Sequence, residues 1–520
     1  MTQGNLIAIM IAFVAYLLFM ICIGVWSMRK TNSTEDYFLG GRGLNSWVAA
    51  LSAQASDMSG WLLMGLPGSI YALGTGQAWI AIGLFLGTVA NWLLISKRLR
   101  RYTIVANNSM TLPEFFENRF HDTKKILLAI SSVVIVVFFL VYTASALASG
   151  GKLFNTVFQI DYHVALMIGV VVILAYTFMG GFLAVCTTDF IQGSLMLIGL
   201  MAVPIVAYAF VSGDFAGLVQ KSNEVAGYTG TYDDYMSLFS NNGTPYRLID
   251  ILSQLAWGLG YCGMPHILVR FMAIRSEKEL KKSSVIAIIW CFISLIAACV
   301  IGVLGRAYLF PTVLGVKGAA SAESVFIEMI DKVFTVDTRL PFIGGIFLCG
   351  ILAAIMSTAD SQLLVCASSV SKDIYKNLLK PDAKDKRVLL VSRITVICVA
   401  ALAFLIAWDP NSSIMNLVSD AWAGLGSAFG PIVVCALFWK RTNLPGAVAG
   451  MVSGGLTVII WDYIPLVGGQ TLGTATGIYS LLIGFFISLI LIVVVSLCTK
   501  APDEGVLADF DKVNNYKESI

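Results

Sequence analysis

The sequence predicts an all-α integral membrane protein with thirteen transmembrane helices. Three observations carry that expectation: the composition, the spacing of the long apolar runs, and the distribution of Lys and Arg among the segments that join them. Of 520 residues 58% are hydrophobic and only 12% charged, with a mean hydropathy of +0.82. Soluble domains carry about 25% charged residues. Such a chain has more apolar surface than one aqueous core can hide, so lipid is its solvent.

Apolar runs of about twenty residues, the length that crosses a hydrocarbon core, fall at 5–27, 45–66, 76–96, 126–149, 162–184, 189–211, 249–269, 284–305, 341–366, 388–408, 414–439, 446–464 and 475–498. An odd number of spans puts the two ends on opposite sides, and basic residues mark the inner side. With the N-terminus outside, 27 of the 34 Lys and Arg fall in inner connections, Arg270 among them. Lys152, Lys221, Arg247, Arg306, Lys317, Lys332 and Arg339 remain outside. The span count and an N-out, C-in orientation therefore support each other. The first run lacks a basic flank and a small-residue cleavage site, so it reads as a retained span.

The second run, from Ala49 to Gly68, is AALSAQASDMSGWLLMGLPG. Asp57 stands inside it, and an aspartate at the centre of a membrane helix costs on the order of 3 kcal/mol. Ser52, Ser56, Ser59 and Gly60 surround it, and Pro67-Gly68 follow. Ser and Asp compete for backbone hydrogen bonds, and Gly is a poor helix interior residue. The helix is expected to break at mid-membrane, with freed carbonyls facing a cavity suited to a cation and a small zwitterion.

A second interrupted run follows from Gln254 to Arg270, QLAWGLGYCGMPHILVR, with Gly258, Gly260, Gly263 and Pro265 inside it. Two breakable spans about two hundred residues apart point to an inverted-repeat transporter. The repeats would run over about 45–211 and 249–439, with one additional span before them and two after. Residues 1–500 then form a single transmembrane domain and 501–520 a mobile cytoplasmic tail. The long outer connections Ser212–Arg247 and Arg306–Leu340 have room for short helices.

In the ninth run Ala354, Ser357, Thr358 and Ser361 share one helical face, close to Asp360. Two readings stay open: hard oxygen ligands for an alkali cation, or small residues that let helices approach. Asp57 and Asp360 in the same membrane favour the first. Asp189, at the start of the sixth run, is either a carboxylate on a helix dipole or a way station for cations. Asp420 is intramembrane by hydropathy. Trp257 and Tyr261, one turn apart, and Trp61 stand beside the breaks, where a compact apolar ring could stack.

His121, His163 and His266 share no ligand spacing and read as structural. The ten cysteines lack paired spacing and read as core residues. No phosphate-cradling loop is present, which removes ATP as the evident energy source. Nothing in the sequence points to an organic cofactor, nucleic acid or an obligate protein partner.

At Asp36-Tyr37-Phe38-Leu39-Gly40-Gly41-Arg42, Ala55-Ser56-Asp57-Met58-Ser59-Gly60-Trp61 and Ser357-Thr358 the chain resembles the sodium/solute symporters, above all their proline-carrying bacterial branch. The resemblance extends to Gly65–Gly68, Trp257–Tyr261, Pro265–Leu268, Gln362–Cys366 and Ala421–Gly424, and runs to about Thr499. It implies a leucine-transporter-like five-plus-five inverted repeat and sodium-coupled uptake of L-proline across the cytoplasmic membrane by alternating access, with no enzymatic activity. Another small organic solute, such as pantothenate or sialic acid, is the alternative; a membrane ligand sensor is a further one, for which the tail from Lys500 leaves little room.

By the same resemblance sodium is held by Ala55, Met58, Ala354, Ser357 and Thr358 with Asp57 nearby, and proline by Ser59, Gly60, Tyr142, Trp257, Tyr261 and Pro265. Asp360 and Asp420 depart from the family pattern, where a serine-like and an aromatic residue are usual. Asp360 could complete a second sodium site with Asp189 and Ser361.

Overall fold

The computed structural model describes residues 3–28, 39–177, 181–317, 320–516 and 518. Asp36, Tyr37 and Phe38 of the first family motif, Gly180, and Arg29, Lys30 and Lys517 of the charge partition lie outside the described residues.

Ten of the described helices are long and apolar enough to cross a membrane. They are α1 (Gln3–Met28), α4 (Thr75–Val105), α6 (Ile126–Phe158), α8 (Phe182–Ala209), α13 (Glu277–Tyr308), α15 (Pro341–Leu379), α16 (Asp385–Ile406), α17 (Ile414–Phe438), α18 (Leu444–Tyr463) and α20 (Ser480–Cys498). Three further apolar stretches are shorter or interrupted. α2 (Ser46–Asp57) is followed after a gap by α3 (Trp61–Leu73), and α7 covers Tyr162–Thr177. α11 (Leu248–Leu255) runs into a 3-10 stretch, Ala256–Gly263, and then into α12 (Pro265–Ala273).

Local chemistry sets many of the starts. Asn45, Ser276, Ser413 and Asn443 each accept an amide of the first turn that would otherwise lack a partner. α8 begins at Phe182, earlier than the hydropathy run, because Phe182–Cys186 is itself apolar. Asp189 is therefore about two turns inside its helix and fully buried, so the reading as a first-turn carboxylate on the helix dipole does not hold.

The connections are folded. Ser212–Arg247 forms α9 (Phe215–Ala226) and α10 (Tyr232–Met236), while Arg306–Leu340 forms the turn Ala322–Ser324 and α14 (Val325–Asp331). Glu323 of that turn sits on Gly68, where an added Cβ would lie 2.7 Å from the Glu323 Cα. Its carboxylate takes the Lys152 ammonium at 2.6 Å and the Ser413 hydroxyl at 3.1 Å. Lys152, assigned above to an outer connection, is thus a buried ion-pair partner on α6.

The tail also differs from expectation. α21 (Glu504–Asn514) is a helix that buries Val506, Phe510 and Val513. Those residues recur at intervals of four and three, a narrow stripe that its many charges conceal from a hydropathy scan. The Phe510 ring packs on Tyr102 and under the Arg119 guanidinium, with α5 (Leu112–Arg119) alongside. Asp509 meets His121 at 2.9 Å, Asp511 meets Lys440 at 2.7 Å, and Glu518 meets Arg100 at 2.8 Å.

α17 and α15 are the most enclosed of the long helices, and α1 the least. α17 packs on both α6 and the Ala256–Gly263 stretch, and α15 packs on α6, α8 and α1. α2 lies against α8, α13 and α15. Glycines permit the closest approach: at Gly87 of α4 an added Cβ would fall 2.6 Å from the Gly258 Cα.

Gly258→Ala should therefore overpack this crossing and destabilise the protein by about 1–3 kcal/mol, lowering the thermal unfolding midpoint in detergent. Gly4→Ala, with nothing within 4 Å of the new methyl, should not lower it. Equal midpoints would remove the close approach as a packing constraint.

Candidate ion and solute site

The first break is a redirected amide. Met58 leaves the helix at φ −81°, ψ 76°, and the Ser59 N–H donates to the Asp57 carbonyl at 3.0 Å instead of continuing the ladder to Ala55. The Ala55 carbonyl is taken up by α15: Ser357 Oγ donates to it at 2.7 Å and Thr358 Oγ1 at 3.4 Å. Ser357 Oγ also lies 3.2 Å from the Ala354 carbonyl. Four residues assigned to sodium, Ala55, Ala354, Ser357 and Thr358, thus share one buried oxygen cluster. Met58 is fully buried at the first non-helical position beside them.

Asp57 faces a different set of partners. Its Oδ2 accepts the Tyr261 hydroxyl at 2.6 Å, and its backbone carbonyl accepts the Trp61 indole at 2.9 Å and the Tyr142 hydroxyl at 3.5 Å. Among the described residues Oδ1 has no hydrogen-bonding partner. Gly60 is required by α6, because an added Cβ would lie 2.8 Å from the Ser149 Cβ. Ser59, Gly60, Tyr142 and Tyr261 therefore gather around the break, next to the oxygen cluster.

The second break supplies the facing wall. In the Ala256–Gly263 stretch, Gly260 lies against the Trp422 indole and Gly263 against the backbone of Leu425 and Gly430. Met264 is extended and Pro265 opens α12, a position where its missing N–H costs nothing. Trp422 Nε1 donates to the Trp257 carbonyl at 2.8 Å, and its ring stands edge-on to Tyr261 at 5.2 Å. Trp257 stacks on Tyr479 at 5.2 Å.

Trp257 and Pro265 open on unequal spaces. Trp257 lines a polar cavity of about 970 Å³ with Ser253, Gln254, Asp420, Asp462 and Tyr479. Asp420 lies at the edge of that space, half-buried, and accepts the Tyr463 hydroxyl at 2.6 Å. Pro265 lines a cleft of only about 20 Å³ with Phe182, Arg270, Ser368 and Ser369. Of the residues expected to hold solute, Trp257 lines the first space and Pro265 the second.

Asp189 and Ser361 are brought together, with Asp360 beside Ser361, but a side chain the sequence analysis placed in a loop stands between them. Arg270 donates to Asp189 Oδ2 at 3.2 Å, to Ser361 Oγ at 2.6 Å and to Ser52 Oγ at 3.1 Å. Ser52 in turn donates to the same Asp189 oxygen at 2.7 Å. Arg270 is 1% exposed. Its position at the end of an apolar run hid it: a basic residue there normally marks the membrane boundary. His266, read from the sequence as structural, and Gln362, noted there only as part of a family-like run, are both fully buried.

Comparison with known proteins agrees with this architecture. Residues 37–454 match the family described as SSF, sodium:solute symporter family. The chain is 44% identical over 514 residues to the sodium/proline symporter of Haemophilus influenzae, covering 98% of both chains. It is 43% identical to the high-affinity proline transporter PutP of Bacillus subtilis, over 96% of this chain and all of the relative. It is 42% identical to the osmoregulated proline transporter OpuE of the same organism, over 95% and 96% of the two chains. Among solved structures, a substrate-bound, outward-open Na+-coupled sialic acid symporter superposes with a TM-score of 0.74 at 20% identity, over 95% of this chain and 98% of that one. A closed conformation of Mhp1, a nucleobase-cation-symport-1 family transporter, superposes with a TM-score of 0.51 at 10% identity, over 92% and 99%. An all-helical, multi-pass chain built around two interrupted helices, matched over most of its length by that family and over nearly all of it by these relatives, belongs to the sodium:solute symporter family, a family of transporters and not of enzymes.

Proposed function

We propose that this protein takes up L-proline with sodium across the cytoplasmic membrane by alternating access. One observation carries the reading: the Ala55 carbonyl, released at the helix break, meets the Ser357 and Thr358 hydroxyls of α15 in a buried all-oxygen cluster. An alkali cation prefers such ligands. The full-length similarity to proteins named as proline transporters supports the choice of solute.

In this reading sodium lies among Ala55, Met58, Ala354, Ser357 and Thr358, with the Asp57 charge adjacent. Proline lies at Ser59 and Gly60, enclosed by Tyr142, Trp257, Tyr261 and Pro265. The three interrupted or short stretches are also spans, giving thirteen. The repeats cover about 45–211 and 249–439 within one transport domain, and the N-terminus is outside. The wide cavity beside Trp257 then opens outward, and the narrow cleft beside Pro265 is the closed inner route. A second sodium at Asp189, Asp360 and Ser361 competes with Arg270, which already supplies positive charge there, so it binds only when the guanidinium withdraws.

Asp57→Asn should abolish sodium-dependent uptake while the protein still inserts, and Asp57→Glu should keep part of it. Wild-type sodium dependence in the Asn variant would take Asp57 out of the mechanism.

Thr358→Ala should raise the sodium concentration for half-maximal uptake about tenfold or more, the worth of one hydrogen-bonding group to a charge, whereas Thr358→Ser should stay near wild type. If both variants behave alike, the hydroxyl serves packing and not ligation.

The decisive measurement is accumulation in liposomes. A sodium ion moving through about 150 mV gains about 3.5 kcal/mol, and a tenfold gradient adds about 1.4 kcal/mol. Together these concentrate a neutral zwitterion a few thousandfold at 1.4 kcal/mol per tenfold. Purified protein should accumulate proline only under an inward sodium gradient or an inside-negative potential with sodium present. Equilibration without accumulation would refute symport, and uptake driven by protons in sodium-free buffer would mean the oxygen cluster serves another ion.

A further inference from the structure

We propose that His266 receives the carboxylate of the transported solute. His266 is the second residue of α12 and is completely buried. Among the described residues neither Nδ1 nor Nε2 has a hydrogen-bonding partner. A neutral imidazole carries one N–H donor and one acceptor, and leaving both unmade away from water is costly enough to need a reason. Packing alone does not give one, since a phenylalanine would fill the same space without the penalty.

The surroundings supply the reason. The His266 ring stands edge-on to Phe139 at 5.4 Å and to Tyr142 at 6.2 Å. The Tyr142 hydroxyl reaches the Asp57 carbonyl at 3.5 Å, so His266 and the first helix break flank the same tyrosine. The next residue, Thr143, donates to Gln362 Oε1 at 3.4 Å, and the Gln362 amide nitrogen likewise has no partner among the described residues. Three residues from three elements thus contact one turn of α6, and each carries an unmade bond: an acceptor on Asp57, Oδ1, and donors on His266, its N–H, and on Gln362, Nε2.

An α-amino acid has the complementary pattern, with an ammonium that donates and a carboxylate that accepts on either side of one carbon. The N-terminus of α12 adds its own preference for negative charge at the His266 end. The carboxylate therefore lies toward His266, with Gln362 as a second donor, and the ammonium lies toward Asp57.

This inference rests on the proline reading above, and the test separates the two. In proteoliposomes of the full chain, labelled proline uptake is competed with unlabelled L-proline and with L-prolinamide, which keeps the ring and loses the carboxylate. His266→Phe should weaken proline about 10- to 100-fold, the range for losing a hydrogen bond to a charged group, and change prolinamide less than twofold. The preference of acid over amide then collapses. His266→Gln, which restores a donor, should keep most of that preference. Sodium binding without solute should stay within twofold in both variants, which a general loss of structure would not allow. A wild-type acid-over-amide ratio in His266→Phe, or an equal loss for both ligands with sodium binding intact, overturns the inference. Wild-type protein that ignores proline but accumulates another carboxylic solute overturns the proline reading alone, and the same comparison of that solute with its amide then decides the role of His266.

Discussion

The structure depends on one carbonyl. In an unbroken helix the Ala55 oxygen would belong to the amide four residues on, but that amide has turned back to Asp57. A carbonyl left without a donor inside a membrane costs several kcal/mol. The hydroxyls of Ser357 and Thr358 meet that need, and in doing so they fasten α15 to α2 at the depth where both are most buried. Gly60 lets α6 close on the gap, and Tyr261 ties the second interrupted segment to Asp57. The polar groups that hold this arrangement together are the ones proposed above as ligands for sodium.

Much of this was legible in the sequence because lipid punishes exceptions. Asp57, Ser59 and Gly60 in an apolar run announce a break, and Gly258, Gly260, Gly263 and Pro265 announce another. The resulting 3-10 stretch ends where Pro265 can start a helix. Thr358 and Ser357 were legible as a hydroxyl pair, and geometry added that they bond the freed carbonyl. Arg270 was not legible, because charge statistics treat a basic residue at the end of a span as a boundary marker. Its pairing with Asp189, 81 positions earlier, is a tertiary fact. Asp189 was misplaced for a related reason: the hydropathy run began late, so a carboxylate well inside α8 looked like one at its start. α21 was missed because three buried apolar residues among charges fall below any span threshold, although their spacing is helical.

Two buried ion pairs give the bundle its polar fixed points. Lys152 with Glu323 joins α6 to the connection that covers α3, and the α17 start contributes Ser413. Arg270 with Asp189 joins α12 to α8, with Ser52 of α2 and Ser361 of α15 completing the shell. Breaking one member of such a pair costs about 3–5 kcal/mol, while the intact pair contributes little net stability. Pairs of this kind select an arrangement more than they strengthen it. The alternating access proposed above could use that property, since exchanging one set of partners for another need not change the total stability by much.

The docking of α21 bears on how the chain is made. α21 is the last described helix to leave the ribosome, yet its Phe510 lies against Tyr102 and beneath Arg119, residues translated some four hundred positions earlier. Until it arrives, the Arg119 side chain and the aromatic groups around it lack their cover. Without α21, the aromatic face formed by Tyr102 and the Arg119 guanidinium would lose the Phe510 ring that packs on it.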